Sequence, residues 1–258
     1  MRTIGIIGGI GPESTVAYYR QIISRYRERR PDGHYPQIVI NSIDMTHMLD
    51  LIGAGSLDEA ADYLAEEVRK LERVGADFAL LASNTPHIVF NSIQAKSQLP
   101  LISIIEVTCR EARRLGLRKV GLFGTKFTMQ GGFYEEVFSK HGIIIVTPGP
   151  DDQETIHEKY MGELVNDIIL DATKRELLEI ASQLEADAGI EGLILGGTEL
   201  PLILREADGG AIPFLDTTKL HVESVVDELI APTDSGDASA RTSATSDSPL
   251  ESSKRSKC

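Results

Sequence analysis

Short apolar runs alternate with longer amphipathic stretches along most of the chain, the pattern of βα units that build a parallel sheet. Ile4-Gly5-Ile6-Ile7 reads as a first strand and runs into the glycine-rich turn Gly8-Gly9-Ile10-Gly11-Pro12. Val16, Tyr19, Ile22, Ile23 and Tyr26 then recur at helical spacing. Residues 38–40, 78–82 and 101–104 read as three more strands, and residues 57–74 as an amphipathic helix carrying Leu64, Val68 and Leu71. The pattern then restarts. Residues 120–123 form a strand that enters Gly124-Thr125-Lys126, a helix follows around 134–138, and further strands are expected at 143–146, 193–195 and 213–215.

The two halves keep the same spacing. Gly8 to Ser83 is 75 residues and Gly124 to Gly197 is 73; Ser83 to Pro100 is 17 and Gly197 to Pro213 is 16. A repeat this long is no solenoid. It predicts an α/β protein of two similar lobes with parallel sheets, related by a pseudo-twofold, with a cleft between them. The first lobe is expected over residues 1–105 plus about 210–230, and the second over 106–209. Ser83 and Gly197 then stand at the carboxyl ends of matching strands, where open α/β sheets bind ligands.

Composition changes at the end of the chain. Residues 231–258 are rich in Ser, Thr, Asp and Ala with almost no large apolar side chains, so this tail is expected to be disordered. The net charge of −13 argues against nucleic acid or an anionic membrane as partner, since both require a basic face. The two cysteines, Cys109 and Cys258, are neither a disulfide framework nor a metal ligand set, and Cys109 reads as a small buried apolar residue. No apolar run approaches the roughly 20 residues needed to span a bilayer, and the chain enters a strand directly after Met1-Arg2-Thr3, so a cytoplasmic location is expected.

Four polar turns carry the candidate chemistry. The turn over residues 8–14 lacks the Lys-Ser/Thr ending of a P-loop, and Ser14 stands where a dinucleotide fingerprint needs its third glycine. Its better use is at a helix N-terminus, where Gly11 brings backbone N–H groups close to a carboxylate. Ser83-Asn84-Thr85-Pro86-His87 supplies hydroxyl and amide donors that suit a carboxylate, and the same residues suit a helix cap. His87 is a candidate proton shuttle. On the other side, Gly197-Thr198-Glu199-Leu200-Pro201 offers Thr198 as a donor and Glu199 as a base or orienting group. Thr125, after its own strand, is a further contact for a substrate carboxylate.

Together these segments resemble the aspartate/glutamate racemase family of amino-acid isomerases, over nearly all of residues 4–230. The resemblance implies a two-lobed fold, usually dimeric, that works without cofactor or metal on a small amino acid or carboxylic acid held between the lobes. In that family one cysteine takes the α-proton from one face and a second cysteine returns a proton to the other. The resemblance puts those cysteines at positions 83 and 197, where this chain has Ser83 and Gly197, and matches Asn84, Thr85, Thr125 and Thr198 to carboxylate-holding positions. Members specific for acidic substrates carry an arginine in the loop after the second strand. Here that loop reads Asp44-Met45-Thr46-His47, and a protonated His47 is the expected stand-in.

The substitutions change the chemistry. A thiol ionises near pH 8.5 and is readily tuned lower, whereas a serine hydroxyl needs an adjacent base. Ser83 would depend on His87, and Gly197 on a water or on Glu199. Loss of one well-placed acid or base costs about 10²–10⁴-fold, and such losses need not multiply. Three readings follow: a racemase with altered proton-transfer groups, one-sided carbanion chemistry such as decarboxylation or isomerisation, and a non-catalytic binder of small carboxylates.

Overall fold

A computed structural model describes residues 2–232. The first half runs β1 (Thr3–Gly8), α1 (Pro12–Arg29), β2 (Gln37–Ser42), α2 (Met45–Gly53), α3 (Leu57–Arg73), β3 (Phe78–Leu81), α4 (Phe90–Ala95), β4 (Leu101–Ile102) and α5 (Ile104–Arg114). The second half runs β5 (Lys119–Gly124), α6 (Lys126–Gln130), α7 (Phe133–Ser139), β6 (Ile144–Val146), α8 (Pro150–Gly162), α9 (Asp171–Ala188), β7 (Leu193–Gly196), α10 (Leu200–Ile203), β8 (Phe214–Asp216) and α11 (Thr217–Ile230). All strand pairs are parallel. The two sheets have the same order, β2-β1-β3-β4 and β6-β5-β7-β8.

Both faces of each sheet are covered, which explains why the strands read as near-continuous apolar runs. Side chains alternate across β1: Ile7 packs toward Leu64, Val68 and Leu71 of α3, while Ile4 and Ile6 pack toward Tyr18, Ile22 and Tyr26 of α1. The second sheet repeats the arrangement. Phe123, Leu193 and Leu195 face α8 and α9, and Val120, Leu122 and Ile194 face α5 and α7. Each such buried aliphatic or aromatic side chain stabilises the fold by roughly 1.5–3 kcal/mol relative to leaving it in water.

Two boundaries differ from the sequence expectation. The fourth strand stops at Ile102 and not at 104, because the Ser103 side chain accepts the Glu106 N–H at 3.3 Å and starts α5 as its N-cap. The chain does not return to the first lobe at about residue 210. Phe214, Leu215 and Asp216 extend the second sheet beside β7, and the return begins with α11. Val222, Val225, Val226 and Leu229 of that helix then cover Ile4, Ile6 and Tyr18 of the first lobe. A buried histidine fixes the join: His221 Nδ1 accepts from the Tyr18 hydroxyl and Nε2–H donates to the Ile102 carbonyl, both at 2.9 Å. The expected disordered tail lies, from residue 233 onward, outside the described residues.

Among the described residues, no helix is long and apolar enough to cross a membrane, and no cluster of three His, Cys, Asp or Glu side chains could hold a metal ion.

Candidate cleft between the two sheets

The chain leaves β1 to one side and β3 to the other, so the connections from the carboxyl ends of these paired strands diverge at a topological switch point, as do those from β5 and β7. The four polar turns follow these four strands. Gly11 lies at φ +76°, a left-handed conformation that lets the turn close before Pro12 opens α1. Ser14 in the first turn of α1 donates its hydroxyl to the Ala82 carbonyl at 3.0 Å, which ties that helix to the end of β3 and places Ser83 beside it.

Gly11, Ser83, Thr85, Thr125 and Glu199 meet in one cleft, completed by Ile10, Met45, Leu49, Tyr160, Met161 and Val165. It holds about 370 Å³ of space between atoms, much of it open to solvent at the mouth. The two walls touch through hydroxyls: Thr85 Oγ1 and Thr125 Oγ1 are 3.3 Å apart, and Thr125 Oγ1 also accepts the Thr128 N–H at 3.3 Å as the N-cap of α6. Ser83 is nearly buried, and among the described residues its hydroxyl has no hydrogen-bond partner.

Other expected site residues lie elsewhere. His87 does not serve Ser83 as a base. Its Nδ1–H donates to the Ser83 backbone carbonyl at 3.0 Å and its Nε2 accepts the Ile104 N–H at 3.3 Å, so both ring nitrogens are committed to backbone. Burial pushes its pKa down to about 3, with a further lowering from His221, which keeps the imidazole neutral. The Asn84 side chain turns away from the cleft. It accepts from the Tyr134 hydroxyl at 2.7 Å and donates to Thr217 Oγ1 at 3.3 Å, linking α7 and α11 beneath the site. His47 is exposed on α2 and packs edge-on to Tyr63 at 4.8 Å, whereas Met45 and Leu49 of the same helix face the cleft.

Gly197 does not line the cleft, because Tyr160 covers it. A Cβ placed at position 197 would lie 2.9 Å from Tyr160 Cζ and 3.0 Å from its hydroxyl oxygen. The ring of this α8 residue fills the space that a side chain at 197 would need. The Tyr160 hydroxyl donates to Glu199 Oε2, and Thr198 Oγ1 donates to the same oxygen at 2.7 Å. Burial holds the Tyr160 phenol well above its usual pKa, and the neighbouring Glu199 carboxylate adds to that. Thr198 therefore acts on Glu199 and is not a lining residue. Tyr160 has no place in any motif; the spacing of Ile156, Tyr160 and Leu164 marks only a core-facing helix stripe.

This architecture, with polar turns from two matching sheets facing one cleft, has counterparts among known proteins. Residues 7–225 match the family described as Asp/Glu/Hydantoin racemase. A broad-specificity amino-acid racemase, RacX of Bacillus subtilis (strain 168), is 26% identical over 237 residues, covering 88% of this chain and 98% of the relative. A solved structure of a candidate Asp/Glu racemase from Yersinia pestis superposes with a TM-score of 0.82 at 32% identity, covering 90% of this chain and 100% of the other. An aspartate racemase homologue from Pyrococcus horikoshii OT3 gives 0.77 at 32% identity, over 89% of this chain and 99% of the other. Shared sequence along most of its length and a shared two-lobed fold give one conclusion: this chain belongs to the Asp/Glu/Hydantoin racemase family.

Proposed function

We propose that the cleft binds a small amino acid or related carboxylic acid, and that it does not racemise its ligand by two opposed side-chain bases. Thr85 and Thr125 contribute hydroxyls from opposite walls to the ligand carboxylate, with the backbone of the Gly8–Gly11 turn beside them. The observation that carries the reading is the Tyr160 ring against Gly197. Position 197 has neither a side chain nor room for one, so the wall opposite Ser83 has no reacting group at that point. On the facing wall the Ser83 hydroxyl lacks an adjacent base, since His87 is bound to backbone through both nitrogens.

The test is incubation with single enantiomers of a panel of amino acids in D₂O. α-Deuteration and optical rotation are followed, with thermal stabilisation by each ligand measured in parallel. The expected result is stabilisation without loss of optical activity. Racemisation that disappears in Ser83→Ala would overturn the reading. Deuterium uptake with retained configuration would put one-sided carbanion chemistry in its place.

A further inference from the structure

Glu199 is an unusual presence in this cleft. Its side chain belongs to a residue only 3% exposed, and among the described residues no Lys, Arg or His nitrogen lies within 4.0 Å of its carboxylate. Lys126, the lysine of the polar turns, is turned outward to Glu154 on α8. Two hydroxyls, of Tyr160 and Thr198, satisfy Oε2, while Oε1 lies over Gly11, 2.8 Å from where a Cβ would stand on that residue. A buried carboxylate is costly unless a positive charge or a full set of hydrogen bonds compensates it. Here the hydrogen bonds serve one oxygen, and none of the cleft-lining residues is cationic.

The rest of the lining limits the ligand further. Ile10, Met45, Leu49, Met161 and Val165 form an apolar group that includes the two cleft-facing residues of α2. A second carboxylate on the ligand would meet these side chains, a buried Glu199 and no counter-charge. Resting on the reading of the cleft given above, we infer that its ligand is a zwitterionic α-amino acid with an apolar side chain. The ammonium pairs with Glu199, the carboxylate lies against the Thr85 and Thr125 hydroxyls on their cleft side, and the side chain lies against Met45 and Leu49. Glu199 is in this arrangement the charge-selecting residue. Dicarboxylic amino acids are excluded by the absence of a cation, and Met45→Arg supplies one.

Binding is measured by titration calorimetry and thermal shift on the full chain. The probes are both enantiomers of leucine, methionine, aspartate and glutamate, with 4-methylpentanoate as the leucine analogue that lacks the ammonium. Leucine or methionine should bind about tenfold or more tightly than aspartate, glutamate and 4-methylpentanoate, the scale of discrimination expected when a buried group is left unpaired. Glu199→Gln keeps an oxygen for the Tyr160 and Thr198 hydroxyls. It should lose the preference for leucine over 4-methylpentanoate while binding the latter at least as well as the unsubstituted chain. Met45→Arg should raise affinity for aspartate or glutamate relative to leucine. Equal binding of leucine and 4-methylpentanoate, or tighter binding of aspartate, would overturn the inference while leaving a carboxylate-binding cleft. No response to any probe would overturn the cleft reading and this inference with it.

Discussion

Glycine at position 197 is required by space and not by backbone conformation, since its φ is not among the positive values found at ten other glycines of the described chain. Any side chain there must displace the Tyr160 ring, which is itself packed among Ile156, Leu164 and Leu200. We predict that Gly197→Ala lowers unfolding stability by about 1–3 kcal/mol, the usual cost of forcing extra volume into a packed site. In a Tyr160→Ala background the same substitution should cost much less. Guanidinium denaturation of the four chains of this double-mutant cycle measures the coupling, and additive effects would show that ring and position are independent. The sequence does not disclose what approaches Gly197. Tyr160 comes from α8, 39 residues from Glu199, and no local spacing links them. The misreading of His47 has a different source. On a helix, residues 45 and 49 share a face and residue 47 points well away from it, so a protonatable side chain in the right loop still points outward.

At the scale of elements the strands were legible, because each is an apolar run followed by Gly, Ser or Thr, whereas α2, α8, α9 and α11 were not read from the pattern. All eight expected strands form, with ends shifted where a cap or a pairing partner decides, as at Ser103 and Phe214. What the pattern does not disclose is how buried polar groups join elements. His87 links the turn after β3 to the start of α5, and His221 links α11 to α1 and β4. Burial lowers the pKa of His87 to about 3 and that of His221 to about 4, both from an ordinary value of 6.5. Well above pH 6.5 both residues are neutral whether the chain is folded or unfolded, so neither adds pH dependence there. Below it the unfolded chain takes up protons that the folded chain refuses. Stability is therefore predicted to fall as pH drops from about 6.5 toward 4, by up to about 1.4 kcal/mol per pH unit for each histidine. Denaturation midpoints at pH 7.5, 6.0 and 5.0 check this, and His221→Gln should flatten the slope; an unchanged slope in that variant would count against the assignment.

Across the whole molecule, the two lobes are joined by more than the cleft. The second sheet is entered through α5 and left through α11, and these two helices pack on each other as well as on their own lobes. Asn84 adds a buried bond to Tyr134 across the same seam. The first lobe cannot complete its core until α11, at the far end of the described chain, has returned to cover Ile4, Ile6 and Tyr18. We predict one cooperative unfolding transition for both lobes. Far-ultraviolet circular dichroism and the near-ultraviolet signal of the seven tyrosines, in a chain with no tryptophan, should report the same midpoint. Two separated transitions would mean that the halves unfold independently.

The ring lodged against Gly197 also constrains what this lineage can become. A thiol at 197 must displace the Tyr160 ring, at a cost in stability. Position 83 carries no such barrier, since Ser83 faces the open cleft and differs from cysteine by one atom. The two walls are thus unequal in evolutionary reach: one can gain a thiol in a single step, and the other is latched by a residue on a helix that no active-site motif includes.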